Sequence, residues 1–233
     1  MQLSSLSPSS IISDLTLYLT EAPQKREGHH LLKKTPCIPG GVQRFGALIL
    51  LLALSPIMLL SYLAICAESR GPAIYTQTRV GLLGRRFRIY KFRSMYRPDD
   101  PRYVDTSNLA SDREGVCKKL FKDPRITRVG KVIRKLSIDE LPQLVNVLLG
   151  DMVLIGPRPA LPEEVDEYSL RQFKRLDACP GLTGLWQVSG RADTSFEEQM
   201  NLDLRYVEER SLLLDLRILF ATVPAVLSGK GAY

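Results

Sequence analysis

The sequence has few of the residues on which many enzymes and small stable domains depend. Only two histidines occur among its 233 residues, His29 and His30, and they lie side by side in a polar stretch near the start. We therefore expect any catalysis to use carboxylates rather than an imidazole. The cysteines form no Cys-x-x-Cys pair, which argues against a zinc ribbon or a disulfide scaffold and favours reduced thiols in a cytosolic compartment; they are Cys37, Cys66, Cys117 and Cys179.

Several familiar motifs are also missing. The sequence contains no Gly-x-Gly-x-x-Gly, no P-loop, no Gly-x-Ser-x-Gly and no His-Glu-x-x-His, so the common nucleotide-binding, hydrolase and metalloprotease signatures are excluded. Its 45% hydrophobic and 24% charged residues exclude a wholly disordered or collagen-like chain. The 32 Lys and Arg exceed the 25 Asp and Glu, which gives a net charge of +7. One domain with an appendage is the expected organisation.

One long apolar run dominates the N-terminal part. Residues 1–41 are polar and rich in Ser, Pro and Gly, and we predict a flexible tail there. The run Phe45–Ala67 has 23 residues without a charge, and as a helix it would reach about 35 Å, enough to cross a bilayer core. Because it begins so late, a cleaved signal peptide is not expected. A buried core helix is the soluble alternative.

The path of this helix depends on its middle and its flanks. Ser55 and Pro56 lie at the centre, where a proline removes a backbone hydrogen bond and kinks a helix. Basic residues flank both ends, and such residues stay on the cytoplasmic side of a membrane; they are Lys33, Lys34 and Arg44 before the run and Arg70, Arg79, Arg85, Arg86 and Arg88 after it. A kinked spanning helix is the competing interpretation, but two basic flanks favour a re-entrant helix broken at Ser55-Pro56.

The remaining sequence predicts a mainly helical α+β domain. Two β-rich segments, Ala73–Val80 and Arg86–Phe92, flank the Gly81–Gly84 turn and predict a small β-hairpin. Residues 97–116 are polar and predict a loop. We expect three regions: the tail 1–41, the membrane helix 42–70 and a cytoplasmic domain 71–233.

Helical spacing of apolar residues returns in two later parts of the domain. The first part has two stretches, Ile126–Leu136 and Leu141–Leu148, with Gly150 ending the second, and the other part is Phe196–Leu227, with Pro224 near its end. Between them, Gly156–Pro159 predicts a fixed turn. We expect amphipathic helices lying at the membrane interface.

Two adjacent carboxylates stand out in Ser137–Gln143, at the predicted start of a helix. Asp139 and Glu140 could do chemistry, although Ser137-x-x-Glu140 is also a capping box, and acidic residues suit the first turn of any helix. Basic residues surround the pair along the sequence, and those we expect to bind phosphate are Lys91, Arg93, Arg134, Arg158 and Arg191. Taken singly, each is more commonly a solvated or lipid-facing charge. Together with Mg²⁺ on the carboxylates, they indicate phosphate transfer near a lipid surface.

Five motifs in order resemble the bacterial sugar transferase family, the monotopic polyprenyl-phosphate phosphoglycosyl transferases. The resemblance runs from about Arg44 to Tyr233, and the motifs are Tyr90–Met95, Asp123–Gly130, Leu136–Gln143, Gly150–Pro159 and Pro180–Arg191. The tail from Ser211 to Tyr233 is similar to that of the members that transfer hexoses for exopolysaccharides.

This resemblance implies a reaction and a set of roles. A sugar 1-phosphate would pass from a UDP-sugar to undecaprenyl phosphate, with release of UMP, as the first membrane step of exopolysaccharide or other surface glycan synthesis. Asp139 matches the nucleophile that forms a phosphosugar intermediate, and Glu140 matches the residue that holds Mg²⁺. Lys91, Arg134, Arg158 and Arg191 fall in motifs that line the substrate site. Ser55 and Pro56 match the pair that breaks the re-entrant helix.

The resemblance also implies a location and further partners. The protein would lie in the bacterial inner membrane with its catalytic domain on the cytoplasmic face, upstream of other glycosyltransferases. Two other classes remain as alternatives: a basic membrane-anchored module that binds anions by charge, and a catalytically idle scaffold of an assembly complex. Nucleic acid is not expected as a partner, because aromatic and basic residues do not alternate. Likeness of the tail indicates glucose or galactose as the sugar, with N-acetylated sugars as the alternative, and a homo-oligomeric state is left open.

Overall fold

The computed structural model describes residues 38–112, 120, 122–229 and 231. All of them belong to one folded unit, Cys37–Tyr233. The predicted tail 1–41 therefore lies almost wholly outside the described residues. Within these described residues, eight helices and four strands follow one another, with short 3₁₀ turns among them: α1 Gly40–Glu68, β1 Ile74–Val80, β2 Arg86–Phe92, α2 Arg128–Lys135, α3 Leu144–Leu149, β3 Val153–Ile155, α4 Pro162–Val165, α5 Leu170–Phe173, β4 Gly181–Thr183, α6 Leu185–Val188, α7 Phe196–Glu209 and α8 Leu212–Ser228.

Helix α1 is the predicted apolar helix, and it begins and ends two residues before the predicted range 42–70. Its 29 residues would extend about 43 Å, and its most apolar stretch has a mean hydropathy of 2.5. Length and composition are therefore sufficient to cross a membrane. Most of its large side chains are exposed, among them Phe45, Leu52 and Leu60, each more than 60% accessible. An exposed apolar surface of this size is typical of a lipid-facing helix.

One stripe of α1 packs against the rest of the domain from end to end. Gln43, Ala47, Ser61 and Ile65 are buried, and half-buried positions at three- to four-residue spacing connect them. Ala47 packs in a cluster with Ile89, Leu144, Val147 and Met152. Ile65 packs in a second cluster with Ala73, Phe92, Ile133 and Ile138. Both ends of the apolar helix therefore contact the same body.

The predicted break at Ser55 and Pro56 is not an interruption of the helix. Helix α1 continues through Pro56, and the Ser55 hydroxyl donates a hydrogen bond to the carbonyl of Leu52 at 2.8 Å. That carbonyl is the one that a backbone N–H at position 56 would serve in a regular helix, and proline has no N–H. The serine thus satisfies an acceptor that could find no water inside a bilayer. The re-entrant path remains a prediction.

The predicted β-hairpin is confirmed. Strands β1 and β2 pair antiparallel, with Ile74 opposite Phe92 and Val80 opposite Arg86. A second, parallel pair of β3 and β4 was not predicted; it joins Val153 to Gly181 and Ile155 to Thr183. The described part of the predicted loop, 97–112, contains no helix, no strand and no bridge-forming residue. An α+β architecture with mainly helical content is therefore confirmed.

The C-terminal helical region is divided into α7 and α8 at Arg210 and Ser211. Helix α8 buries Ile218 with Ile155 and Tyr206 in a third core cluster. Its opposite side exposes a row of apolar residues, as expected for an interfacial helix; they are Leu212, Leu213, Leu216, Leu219, Phe220, Val223 and Leu227. Pro224 lies inside α8 without ending it.

Candidate active site

The carboxylates Asp139 and Glu140 lie on a six-residue 3₁₀ helix, Ile138–Gln143, which packs on strand β2. Lys91, near the end of β2, forms an ion pair with Glu140, with 2.6 Å between its Nζ and Oε1. Both side chains are mostly buried. This ion pair joins two motifs that are 49 residues apart in the sequence. The sequence indicated this proximity only through the opposite charges of the two motifs.

The capping box that we considered for Ser137 and Glu140 is not formed, so that structural alternative is wrong. Ser137 takes a left-handed backbone conformation with φ 54°, and its side chain caps no backbone N–H of the 3₁₀ helix. Its hydroxyl instead accepts a hydrogen bond from the guanidinium of Arg191, which also donates to the carbonyl of Ala225 at 3.3 Å. Glu140 is directed to Lys91 rather than back to the helix start.

The two carboxylates have opposite pKa shifts. Burial would raise the pKa of Glu140, but the positive charges of Lys91, Arg158 and Arg191 outweigh it and hold the pKa at about 2. Burial and the negative charge of Glu140 raise the pKa of Asp139 to about 6, although Lys91 and Arg134 act against the rise. Neighbouring acids with separated pKa values are typical of sites that use them for different tasks.

A cavity that opens to solvent lies beside Glu140. Its polar lining comprises Arg79, Lys91, Glu140, Gln143, Arg158 and Gln187. The predictions did not include Arg79, Gln143 or Gln187. Gln143 lay inside the motif quoted for the carboxylates and could have been included on position alone. Arg79 is one basic residue among many, so nothing in the sequence distinguished it.

Arg158 is fixed in the predicted turn Gly156–Pro159. The backbone of this turn joins the parallel strands: Gly156 N donates to Thr183 O at 2.9 Å, and Gly181 N donates to Pro157 O at 2.8 Å. The Arg158 guanidinium lies 5.6 Å from the ring centre of Trp186. Ring contact and a rigid backbone hold this positive charge at the cavity with little freedom to lose on binding an anion.

A buried ion pair also holds that turn in place. Arg175 and Asp203 are almost completely buried, with 2.7 Å between Arg175 NH2 and Asp203 Oδ2. Burial raises the pKa of Asp203 to about 6, while Arg175 and the backbone N–H of Arg158 act to lower it. Asp203 therefore connects helix α7 to Arg158, which lines the cavity.

The predicted phosphate-binding residues divide into two groups. Lys91, Arg158 and Arg191 surround Glu140, and Arg134 acts on Asp139 while its NH1 lies 3.4 Å from the hydroxyl of Ser94. Arg93 does not join them. Its buried guanidinium donates to the carbonyls of Ser69, Arg70 and Gly71, just after α1. Arg93 thus binds the backbone that follows the apolar helix.

The residues present suit a hard divalent cation held partly by substrate. No group of three or more His, Cys, Asp or Glu side chains that could hold a metal exists among the residues that the structure describes. Glu140 is ionised at neutral pH and lines the cavity beside Asp139. Mg²⁺ commonly binds one or two carboxylates and completes its shell with water and substrate phosphates. The donor set fits that arrangement, with Glu140 as the protein ligand.

Comparison with known proteins gives one consistent assignment. Residues 40–229 match the family described as bacterial sugar transferase. The chain is 50% identical to the galactosyl transferase CpsE of Streptococcus agalactiae over 163 residues, which cover 70% of this chain but 36% of that protein. It is 41% identical to the exopolysaccharide production protein ExoY of Sinorhizobium fredii over 190 residues, 80% of this chain and 84% of the relative.

A third relative is named for a specific reaction. The UDP-glucose:undecaprenyl-phosphate glucose-1-phosphate transferase of Caulobacter vibrioides is 45% identical over 188 residues, 77% of this chain and 66% of that protein. The chain thus spans about a third of the streptococcal relative, about two thirds of the Caulobacter protein and most of the Sinorhizobium protein. The family match covers α1, the hairpin, the paired carboxylates and both C-terminal helices. The protein whose cavity is lined by Glu140 and Arg158, next to Asp139, therefore belongs to the bacterial sugar transferase family.

Proposed function

We propose that the protein transfers a hexose 1-phosphate, glucose or galactose, from a UDP-sugar to undecaprenyl phosphate and releases UMP. The observation that carries this proposal is the separation of two adjacent carboxylates by their surroundings. Glu140 is held ionised by Lys91 and Arg158, while Asp139 is buried and less acidic. Phosphoryl transfer needs charge neutralisation and a positioned nucleophile, and these two residues divide those tasks. The names of the relatives support the substrate classes.

The first step makes a covalent intermediate on Asp139. A carboxylate oxygen of Asp139 attacks the sugar-linked phosphorus, and the phosphoanhydride bond breaks as UMP leaves with its electron pair. No general base is required, because a carboxylate is already a nucleophile when ionised. Lys91 and Arg158 neutralise charge on the phosphoryl oxygens. The sugar–oxygen bond is not broken, so the anomeric configuration is retained.

The second step returns the enzyme to its starting state. A phosphate oxygen of undecaprenyl phosphate attacks the same phosphorus, and Asp139 leaves as a carboxylate. In the first step, Mg²⁺ held by Glu140 would supply further charge neutralisation on the diphosphate of the donor. Arg134, whose charge acts on Asp139, keeps the departing carboxylate in its ionised form.

We place the domain on the cytoplasmic face of the bacterial inner membrane, with α1 entering and leaving the bilayer by that face. Support comes from the packing of Ala47 and Ile65, near opposite ends of α1, against one body. A helix that crossed to the other side could not keep both contacts. Ser55 and Pro56 at its centre suit a bend, and a shallow site would let the lipid phosphate reach Asp139 without leaving the bilayer. Later glycosyltransferases would extend the product.

UMP release tests the proposal. We would measure it with purified protein in lipid discs with UDP-glucose or UDP-galactose, Mg²⁺ and undecaprenyl phosphate. The Asp139→Asn variant and EDTA should each abolish release, while Asp166→Asn, an exposed carboxylate outside the cavity, should leave it unchanged. No release with any UDP-sugar from folded protein would overturn the proposal in favour of an idle scaffold. Full activity in Asp139→Asn would remove the covalent intermediate.

A further inference from the structure

Two side-chain amides line the active-site cavity with one buried polar atom each that lacks a hydrogen bond among the described residues. These atoms are Nε2 of Gln143 and Oε1 of Gln187. Gln143 is only 3% exposed. Buried polar atoms in folded proteins nearly always have partners, and exceptions commonly mark sites where a ligand supplies the partner. No step of the proposed reaction uses either glutamine.

The position of Gln143 places this pair close to Glu140. Gln143 follows Glu140 by three residues on the same 3₁₀ helix, where side chains at that spacing lie on one face. Gln187 is held from the other wall, since its Nε2 donates to the carbonyl of Leu182 at 3.2 Å. This bond leaves Oε1 as its remaining acceptor, so the two walls offer one donor and one acceptor.

This combination selects among the chemical groups of the donor and acceptor substrates. A phosphate at neutral pH accepts hydrogen bonds, so it could use Gln143 but would be repelled by the Gln187 oxygen. A polyprenyl chain would leave both amides unsatisfied. Hydroxyl groups donate and accept, and the sugar is the hydroxylated group bonded to the phosphorus that Asp139 attacks. The uracil base also offers both kinds of group, but the ribose and a second phosphate separate it from that phosphorus.

We infer that Gln143 and Gln187 bind hydroxyl groups of the hexose and so determine which sugar the enzyme accepts. The inference rests on the proposed function and specifies how its donor is recognised. A buried site built to hydrogen-bond a hydroxyl rejects a sugar that lacks it, because the amides then remain unsatisfied.

The test uses Gln143→Met and Gln187→Met, which keep side-chain length and remove the hydrogen-bonding atoms. With the UDP-hexose that the native protein uses best, we expect kcat/KM to fall about tenfold or more in each variant. Inhibition by UMP, which has base, ribose and phosphate but no sugar, should stay within about twofold. One monodeoxy UDP-hexose that the native protein rejects should be used by Gln143→Met as well as the full sugar.

Matched controls separate recognition from folding. Gln172→Met removes an amide that bonds Ser169 outside the cavity and should leave kcat/KM unchanged. Gln143→Asn and Gln187→Asn, which keep the amide on a shorter side chain, should recover part of the lost activity. Should either methionine variant fail to fold, as judged by its denaturant melt, the asparagine variants supply the comparison.

The outcomes distinguish this inference from the proposed function. Native-like kcat/KM in both methionine variants overturns the inference and leaves the function intact. Equal losses in UMP affinity and in kcat/KM also overturn it, since the amides would then bind the nucleotide. Absence of UMP release from the native protein with every UDP-hexose overturns the proposed function itself and this inference with it.

Discussion

Lys91 Nζ lies 2.6 Å from Glu140 Oε1, and this ion pair joins the end of strand β2 to the 3₁₀ helix that holds Asp139. Replacing Lys91 by Met should leave the Glu140 carboxylate mostly buried without its nearest positive charge. We expect the free energy of unfolding to fall by about 1–3 kcal/mol and UMP release to fall at least 100-fold. Denaturant melts and steady-state assays measure the two effects.

Lys91→Arg is the matched variant for this pair. It keeps the positive charge, so stability should return close to the native value while activity returns only in part, because the guanidinium presents its donors differently. Equal activity in the methionine and native proteins would mean that the ion pair has no part in the reaction.

The pH dependence of the first half-reaction should follow Asp139. Its raised pKa of about 6 means that the carboxylate binds a proton as the pH falls below 6 and ceases to be a nucleophile. In single-turnover assays without undecaprenyl phosphate, UMP formation should therefore increase from pH 5 to 7 and level off above. Omission of the lipid removes the titration of its phosphate from the profile. A rate that is constant across this range would contradict the assignment.

Arg191 and Ser137 should act as a coupled pair. Arg191 connects α8 to the residue before the carboxylate helix, so Arg191→Gln and Ser137→Ala should each lower kcat, the first more than the second. A double-mutant cycle should give a coupling energy of about 0.5–3 kcal/mol. Ser189→Ala, whose hydroxyl donates to a carbonyl within its own helix turn, is the control. Strictly additive effects would mean that the contact does not position the helix.

The buried Arg175–Asp203 pair should matter far more for stability than an exposed pair on the same helix. Asp203→Asn leaves Arg175 buried without its counter-charge, and we expect a loss of about 3–5 kcal/mol in unfolding free energy. Glu209→Gln breaks the exposed Arg205–Glu209 pair of α7 and should cost no more than about 1 kcal/mol. Similar losses in both variants would refute the difference in burial as the cause.

Cysteine labelling checks the path of α1. In a background without the native cysteines, single cysteines at Gly40 and Arg70 should both escape a membrane-impermeant maleimide added to intact cells, and both should react after lysis. Labelling of either end from outside would show that the helix spans the membrane. Pro56→Leu restores the backbone N–H at this position and tests whether the proline determines the path of α1.

Local patterns predicted the elements that depend on local rules. Alternating β-rich segments around a glycine turn gave the hairpin, and Gly150 ends α3 in the left-handed conformation as expected. The parallel pairing of β3 and β4 could not be predicted in this way, because each strand has three residues and no alternation. The conformation of the turn between Gly156 and Pro159 determines which strand pairs with β3.

The site was predictable by residue type more than by position. Lys91 and Arg93 are two residues apart and equally basic, yet one bonds Glu140 and the other bonds carbonyls after α1. Only the tertiary contacts separate them. Ser137 followed a capping-box pattern, but Arg191, 54 residues away, competes for its hydroxyl. Long-range partners of this kind leave no mark in a local pattern.

The lengthwise packing of α1 makes the anchor inseparable from the enzyme. Ala47 and Ile65 belong to two different core clusters, so deleting the helix would open both cores instead of releasing a water-soluble catalytic fragment. A soluble form would have to be engineered by exchanging outward-facing residues such as Phe45, Leu52 and Leu60 for polar ones while the inward stripe is kept. The most hydrophobic segment of the protein is therefore also part of the packed core of its catalytic domain.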